Sequence, residues 1–126
     1  IVGGDQRLLS HVAYNHPIIK FGSKTTNQVQ ARKINQDGDE IQFVLKLYKE
    51  KYPVKITSHH KGAVDNALAA TACAYLLGIP TPIILEGIQA PLSIAGRFEP
   101  CALLGNKGMM INDAYNASPE SMKAAL

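Results

Sequence analysis

The spacing of apolar residues changes once along this chain, and that change decides the class of fold. Val29 and Ala31 alternate with Gln28, Gln30 and Arg32. After Asp37-Gly38, Ile41, Phe43, Leu45 and Leu47 alternate with Gln42, Val44, Lys46 and Tyr48. Two period-two runs about an Asp-Gly pair read as a hairpin with one buried face. Val54-Lys55-Ile56 supplies a third strand of an antiparallel meander, with Pro53 at its start, where a missing N–H does least harm. From Ala63 the spacing becomes three and four. Val64, Ala67, Leu68, Thr71, Ala74 and Tyr75 fall on one side of an Ala-rich helix. Gly78 and Pro80 stop it. Thr81 caps a second helix with Pro82 in its first turn; this helix runs through Ile83, Ile84, Leu85 and Ile88 and ends before Pro91.

The flanks complete a mixed α/β order without internal repeats. Ile1-Val2 reads as a short strand that passes through Gly3-Gly4-Asp5 into a helical turn from Arg7 towards Val12. Pro17-Ile18-Ile19 begins a second apolar run ending at Phe21-Gly22. Residues 90–99 lack periodicity and form a connector. Residues 101–104 and 109–111 read as two strands around Gly105-Asn106-Lys107-Gly108, and Ser118-Pro119-Glu120 opens a helix that reaches Leu126.

Composition narrows the function classes. The 126 residues carry 13 Lys+Arg against 10 Asp+Glu, and a net charge of +3 is too mild to argue for nucleic acid or an anionic membrane. No apolar run approaches the ~20 residues of a membrane helix. Cys73 and Cys101 are no disulfide framework. With no signal-peptide pattern near Ile1, they point to a reducing cytoplasm. Cys73, inside the Ala-rich run, reads as a small buried hydrophobe. His11, His16, His59 and His60 stand at no zinc-ligand spacing with a cysteine, so no metal site is assigned. Gly22-Ser23-Lys24-Thr25 imitates a phosphate loop but has Ser23 before the lysine and Ile18 where an earlier glycine is required; it reads as a polar loop. Lys46, Lys49, Lys51 and Lys55, interrupted by Glu50, read as a solvated strand edge.

Three features carry chemistry. Asn66, near the start of the Ala-rich helix, is either a tolerated exposed polar residue or an amide matched to the edge of a purine base. In Gly96-Arg97-Phe98-Glu99, Arg97 presents a planar five-donor fork suited to phosphate or carboxylate, or else pairs with Glu99 on the surface. In Asn112-Asp113-Ala114-Tyr115-Asn116-Ala117-Ser118-Pro119, three Asn or Asp lie within five residues around a tyrosine, more than turn chemistry asks for. The stretch follows a strand and precedes a capped helix, where α/β folds place ligand-binding groups. Asp113 suits ribose hydroxyls and Tyr115 suits a base.

Taken in order, Asn66-Ala67-Leu68-Ala69-Ala70, Gly96-Arg97-Phe98-Glu99 and Asn112 through Met122 resemble the Mur ligase family, the ATP-dependent amide ligases that build the peptide of the peptidoglycan precursor. Ile1-Val2-Gly3-Gly4-Asp5-Gln6-Arg7-Leu8 is similar to the segment after a central-domain strand in that family. Ala114-Tyr115-Asn116, where sister ligases tend to carry Tyr-Ala-His, points to the branch that adds D-alanyl-D-alanine to UDP-N-acetylmuramoyl-tripeptide. The resemblance implies that residues 1–95 belong to the central ATP-binding domain and 96–126 open the Rossmann-like C-terminal domain. It implies ATP as cosubstrate, Asn66 on adenine, Arg97 reaching the nucleotide on domain closure, Asp113 on ribose, and Tyr115 and Asn116 lining the same pocket. It further implies a cytoplasmic monomer, with no catalytic residue and no Mg2+ ligand among these residues. On this reading the chain is an internal fragment, inactive alone. One departure is clear: Gly62-Ala63 occupies the place of a polar pair the family usually has before the helix asparagine, and His59-His60 is out of register. A sister ligase, a folylpolyglutamate-synthase-like ligase and a non-catalytic module of the same fold are the alternatives.

Overall fold

A computed structural model describes residues 1–11, 13–58, 62–91 and 93–125. The chain runs β1 (Val2–Gly3), α1 (Arg7–Ser10), β2 (Lys20–Gly22), β3 (Val29–Asp37), β4 (Glu40–Leu47), β5 (Glu50–Thr57), α2 (Ala63–Leu76), α3 (Thr81–Gln89), β6 (Glu99–Ala102), a 3-10 turn (Leu104–Asn106), β7 (Met109–Asn112) and α4 (Pro119–Ala125). The mixed α/β expectation therefore holds. The expected His59-His60 loop, Val12 and Leu126 lie outside the described residues.

The first five strands form one sheet in sequence order. β1 pairs with β2 and β2 with β3 in parallel, whereas β3–β4 and β4–β5 are antiparallel. The expected meander is thus the last three-fifths of a larger mixed sheet. Its buried face follows the alternation: Ile41, Phe43, Leu45 and Leu47 on β4, Val54 and Ile56 on β5, and Val29 and Ala31 on β3 are all buried. The face alternation fails on β3 beyond Arg32. There Lys33, with φ of 52°, and Ile34 together oppose Phe43, a two-against-one bulge that breaks the register. Ile34 is exposed as a result.

The start of the edge strand differs from the sequence reading. β5 begins at Glu50 rather than beside Val54, because the β4–β5 turn is only Tyr48-Lys49. Tyr48 takes φ of 54° without the usual Gly or Asn, so no turn signal marks it. Pro53 consequently lies inside β5, on the sheet edge. Lys55, two residues on, turns its N–H outward to Gln89 Oε1 at 3.1 Å. Pro53 shares that outward side, where no ladder bond is lost.

α2 covers the sheet through Val64, Leu68, Thr71 and Ala72. Ile84 on α3 is buried, and Leu85 and Ile88 pack against the edge of the same core. The face of α2 is narrower than its apolar spacing suggests: Tyr75, Leu76 and Leu77 are exposed, and so is Cys73, against the expectation of a buried thiol. Cys73 lies on the face of α2 opposite Val64, and past Ala72 the helix outruns the sheet, with Tyr75 packed on the Tyr48 ring at 5.2 Å between centroids. The last turn closes as a Schellman motif. Gly78 (φ 74°) donates to Tyr75 O and Ile79 to Ala74 O. Thr81, expected to cap α3, is instead its first residue; Pro80 stands at the cap and no side chain caps the helix.

β6 and β7 form a separate two-stranded antiparallel sheet, with β6 beginning at Glu99 and so reaching into the expected connector. α4 is capped as its Ser-Pro signature implies: Ser118 Oγ accepts the Ser121 N–H (3.1 Å), while Ser121 Oγ accepts the Ser118 N–H (2.9 Å). No helix among the described residues is long and apolar enough to cross a membrane.

Leu68 is 1% exposed and Cys73 is exposed on the same helix. Leu68→Ala should cost about 3 kcal/mol, and Cys73→Ala less than about 0.5 kcal/mol, in denaturant midpoints at constant m. Equal losses would mean that α2 presents a different face to the sheet.

Candidate functional site

The residues singled out after Ala95 come together at one end of the β6–β7 pair. Ile94 bridges to Arg97 across a tight turn, with the Arg97 N–H donating to Ile94 O at 3.0 Å. Gly96 (φ 71°) and Phe98 (φ 46°) are both left-handed, so Arg97 stands between two unusual backbone conformations. Glycine adopts such an angle readily, but Phe98 does so at a cost of order 1 kcal/mol or more. The segment after β7 supplies what holds it. Asp113 Oδ1 accepts the Phe98 N–H (3.0 Å), and Gly96 O accepts the Tyr115 N–H (3.0 Å). Glu99 Oε2 accepts both the Gly96 N–H (2.9 Å) and Asn112 Nδ2 (3.1 Å).

The outcome is a guanidinium laid on an aromatic ring. Arg97 Cζ is 4.2 Å from the centroid of Tyr115, a cation–π contact. Both side chains are exposed, Tyr115 at 67%. Arg97 does not pair with Glu99, whose carboxylate is turned to the Gly96 N–H and the Asn112 side chain; the surface-pair alternative is therefore set aside. Asn116 is exposed beside Tyr115, with its Oδ1 accepting the Ala117 N–H at 2.8 Å.

Asn66 is not part of this cluster. It is exposed on the first turns of α2, and its N–H donates to Gly62 O at 3.0 Å. No hydrogen bond or ring contact among the described residues joins its side chain to Arg97, Asp113 or Tyr115. Gly62, at the cap position of α2, offers no side chain there. Among the described residues no three His, Cys, Asp or Glu side chains lie close enough to hold a metal ion.

A second polar cluster escaped the sequence reading. Asp5, in the loop after β1, accepts the Ser23 N–H (2.5 Å), Ser23 Oγ (2.6 Å), the Lys24 N–H (3.1 Å) and Asn27 Nδ2 (2.9 Å). Lys24 Nζ in turn donates to Gly4 O at 3.2 Å. Partial desolvation works to raise the Asp5 pKa, but the hydrogen bonds from Ser23, Lys24 and Asn27 together overcome it and lower it to about 2. Nearby, desolvation and then the Asp5 charge push Asp65, in the first turn of α2, upward. Gly22-Ser23-Lys24-Thr25 is thus a polar loop, as read, but one with a defined internal partner. Only the Gly-Gly pair before Asp5 hinted at this. A Cβ on Gly4 would meet Asn27 Oδ1 at 2.0 Å.

Over 125 residues, 98% of this chain, the sequence is 34% identical to the UDP-N-acetylmuramoyl-tripeptide–D-alanyl-D-alanine ligase of Bacillus subtilis (strain 168), covering 26% of that protein. The crystal structure of MurF from Acinetobacter baumannii superposes with a TM-score of 0.75 at 29% identity, over 87% of this chain and 23% of that one. Along nearly its whole length the chain is similar to Mur ligases. A second Mur ligase, the UDP-N-acetylmuramoyl-L-alanyl-D-glutamate–2,6-diaminopimelate ligase of Clostridioides difficile (strain 630), is 30% identical over 112 residues, 89% of this chain and 23% of that protein. The chain spans about a quarter of the length of the curated Mur ligases it matches. No family model matches it.

The folded pKa of Asp5 lies below the ordinary 3.8, so its stabilising contribution is complete above that value and is lost as pH falls towards 2. Thermal unfolding followed by circular dichroism should show Tm falling over this window. Asp5→Asn should lower Tm at pH 7 and flatten the acid limb. An unchanged acid limb in Asp5→Asn would show that other carboxylates govern it.

Proposed function

We propose that this chain carries nucleotide-contacting residues of an ATP-dependent amide ligase that adds D-alanyl-D-alanine to UDP-N-acetylmuramoyl-tripeptide. The observation that carries the proposal is the gathering of Arg97, Asp113 and Tyr115 on two adjoining loops, by bonds that run between the Gly96-Arg97-Phe98 turn and the segment after β7. A cation, a carboxylate and an exposed aromatic ring within one loop pair are the three chemistries a nucleotide needs for phosphate, ribose and base.

ATP, when bound, supplies the phosphoryl group that activates the substrate carboxylate for attack by the amine of D-alanyl-D-alanine. The chain's own residues bind and orient. Arg97 swings from Tyr115 to neutralise phosphate charge, since positioning and charge neutralisation do most of the work in phosphoryl transfer. Asp113 keeps Oδ1 on the Phe98 N–H and offers its second oxygen, which no hydrogen bond among the described residues occupies, to the ribose hydroxyls. Tyr115 and Asn116 line the same pocket, and Asn66 reaches adenine from the other body of the protein. Residues 1–95 form the later part of the central ATP-binding domain and 96–126 the start of the C-terminal domain. The partition of the strands into two separate sheets, with the β6–β7 pair in the second, supports that division. Bound Mg2+ would be held by residues other than these.

Ala114-Tyr115-Asn116 and the 34% identity to the Bacillus subtilis enzyme favour D-alanyl-D-alanine as the amine. The second reading, a sister Mur ligase that adds an amino acid, is favoured by the 30% match to the diaminopimelate ligase. Phosphate release by the complete protein separates them: tripeptide precursor with D-alanyl-D-alanine should support turnover, and dipeptide precursor with diaminopimelate should not. In the same assay at limiting ATP, Arg97→Ala should lower kcat/KM by about 10- to 100-fold, as expected for a hydrogen-bonded charge worth about 1.5–3 kcal/mol. Asp113→Ala should raise the KM for ATP. Wild-type turnover in both variants would overturn the site assignment.

A further inference from the structure

We infer that Glu99 is a positioning residue for Arg97, acting through the backbone of the turn between them and not on any ligand. The inference rests on the reading above, in which Arg97 reaches the nucleotide. One oxygen of Glu99, Oε2, takes the Gly96 N–H at 2.9 Å and Asn112 Nδ2 at 3.1 Å. It therefore ties the residue before Arg97 to the last residue of β7. Asp113 makes the matching tie on the other side, from Phe98 N–H to Oδ1 at 3.0 Å. The backbone between the two ties carries φ values of 71° at Gly96 and 46° at Phe98. A left-handed phenylalanine persists only where its surroundings over-determine it. Removing the Glu99 tie leaves Gly96 held through its carbonyl alone, by the Tyr115 N–H; its own N–H is released, the left-handed turn loosens, and Arg97 then loses its place over Tyr115.

Charge is not what this role requires. Both bonds to Glu99 come from neutral N–H donors onto a single oxygen, and an amide oxygen has the lone pairs to accept both in the same geometry, though more weakly than a carboxylate. Glutamine should therefore substitute for glutamate, whereas alanine should not. A ligand-binding or metal-binding glutamate would show the opposite pattern, because glutamine would fail with alanine.

Two readouts on the complete protein test this. The first is NMR of the Arg97 side chain, whose protons over the Tyr115 ring should be shifted upfield. Tyr115→Leu identifies that shift by abolishing it. Glu99→Ala should abolish it too, with Glu99→Gln keeping most of it. The second is kcat/KM for ATP. Glu99→Ala should fall to within about threefold of Arg97→Ala, Glu99→Gln should recover most of the loss, and Arg97→Ala/Glu99→Ala should be no worse than Arg97→Ala alone, as expected for two residues acting as one unit. A retained ring shift in Glu99→Ala, equal failure of glutamine and alanine, or multiplicative losses in the double variant would each overturn the inference. Should Glu99→Ala unfold the turn's surroundings, seen as a lower Tm, the glutamine variant with the same two readouts still decides. If Arg97→Ala leaves ATP use intact while the ring shift responds to Glu99 as stated, the nucleotide reading fails and the positioning role stands.

Discussion

An apolar sheet face must be covered, and here α2 covers its middle while α3 closes its edge. The inward residues of β3, β4 and β5 are buried almost completely, with Val29 and Leu45 at 0% exposure. α2 meets them with Val64, Leu68 and Ala72. Val64 and Leu68 each contribute roughly 1.5–3 kcal/mol on burial, so the docking of α2 outweighs any single polar contact in the chain. The Ala-rich sequence of α2 matters for a second reason. Small side chains let the helix lie close to the sheet, and the buried Thr71 satisfies its hydroxyl within the helix by donating to Ala67 O at 2.7 Å.

The elements that sequence made legible are those whose signal is local. The period-two runs, the Asp-Gly hairpin, the Gly78 stop and the Ser118 cap each depend on residues within one turn or one strand, and each stands where it was expected. The misses depend on partners far along the chain. Tyr48 turns left-handed without glycine because Gln28 O accepts its N–H and Tyr75 packs on its ring. Cys73 is exposed because, nine residues after Val64, it lies half a turn round α2 from the face the sheet covers. The parallel pairing of β1 and β2 leaves no mark in a two- or three-residue strand.

The candidate site divides in the same way. Residue types announced Arg97, Asp113 and Tyr115 as unusual, and the fold sets them together. What spacing did not announce is that Asp113 and Glu99 spend hydrogen bonds on backbone N–H groups of the turn. The carboxylates nearest the arginine are thus framework as much as ligand, and they hold it by shaping its backbone rather than by pairing with its charge.

The loop that imitates a phosphate site shows the reverse situation. The N–H groups of Ser23 and Lys24, with the Ser23 hydroxyl, make a cradle for a negative charge, and Asp5 fills it. A carboxylate attached to the same chain competes at an effective concentration on the order of millimolar or above. Any free phosphate, sulfate or nucleotide arriving at this loop would have to displace an anion that never diffuses away. The loop is in that sense already liganded, and its selectivity is against every other anion.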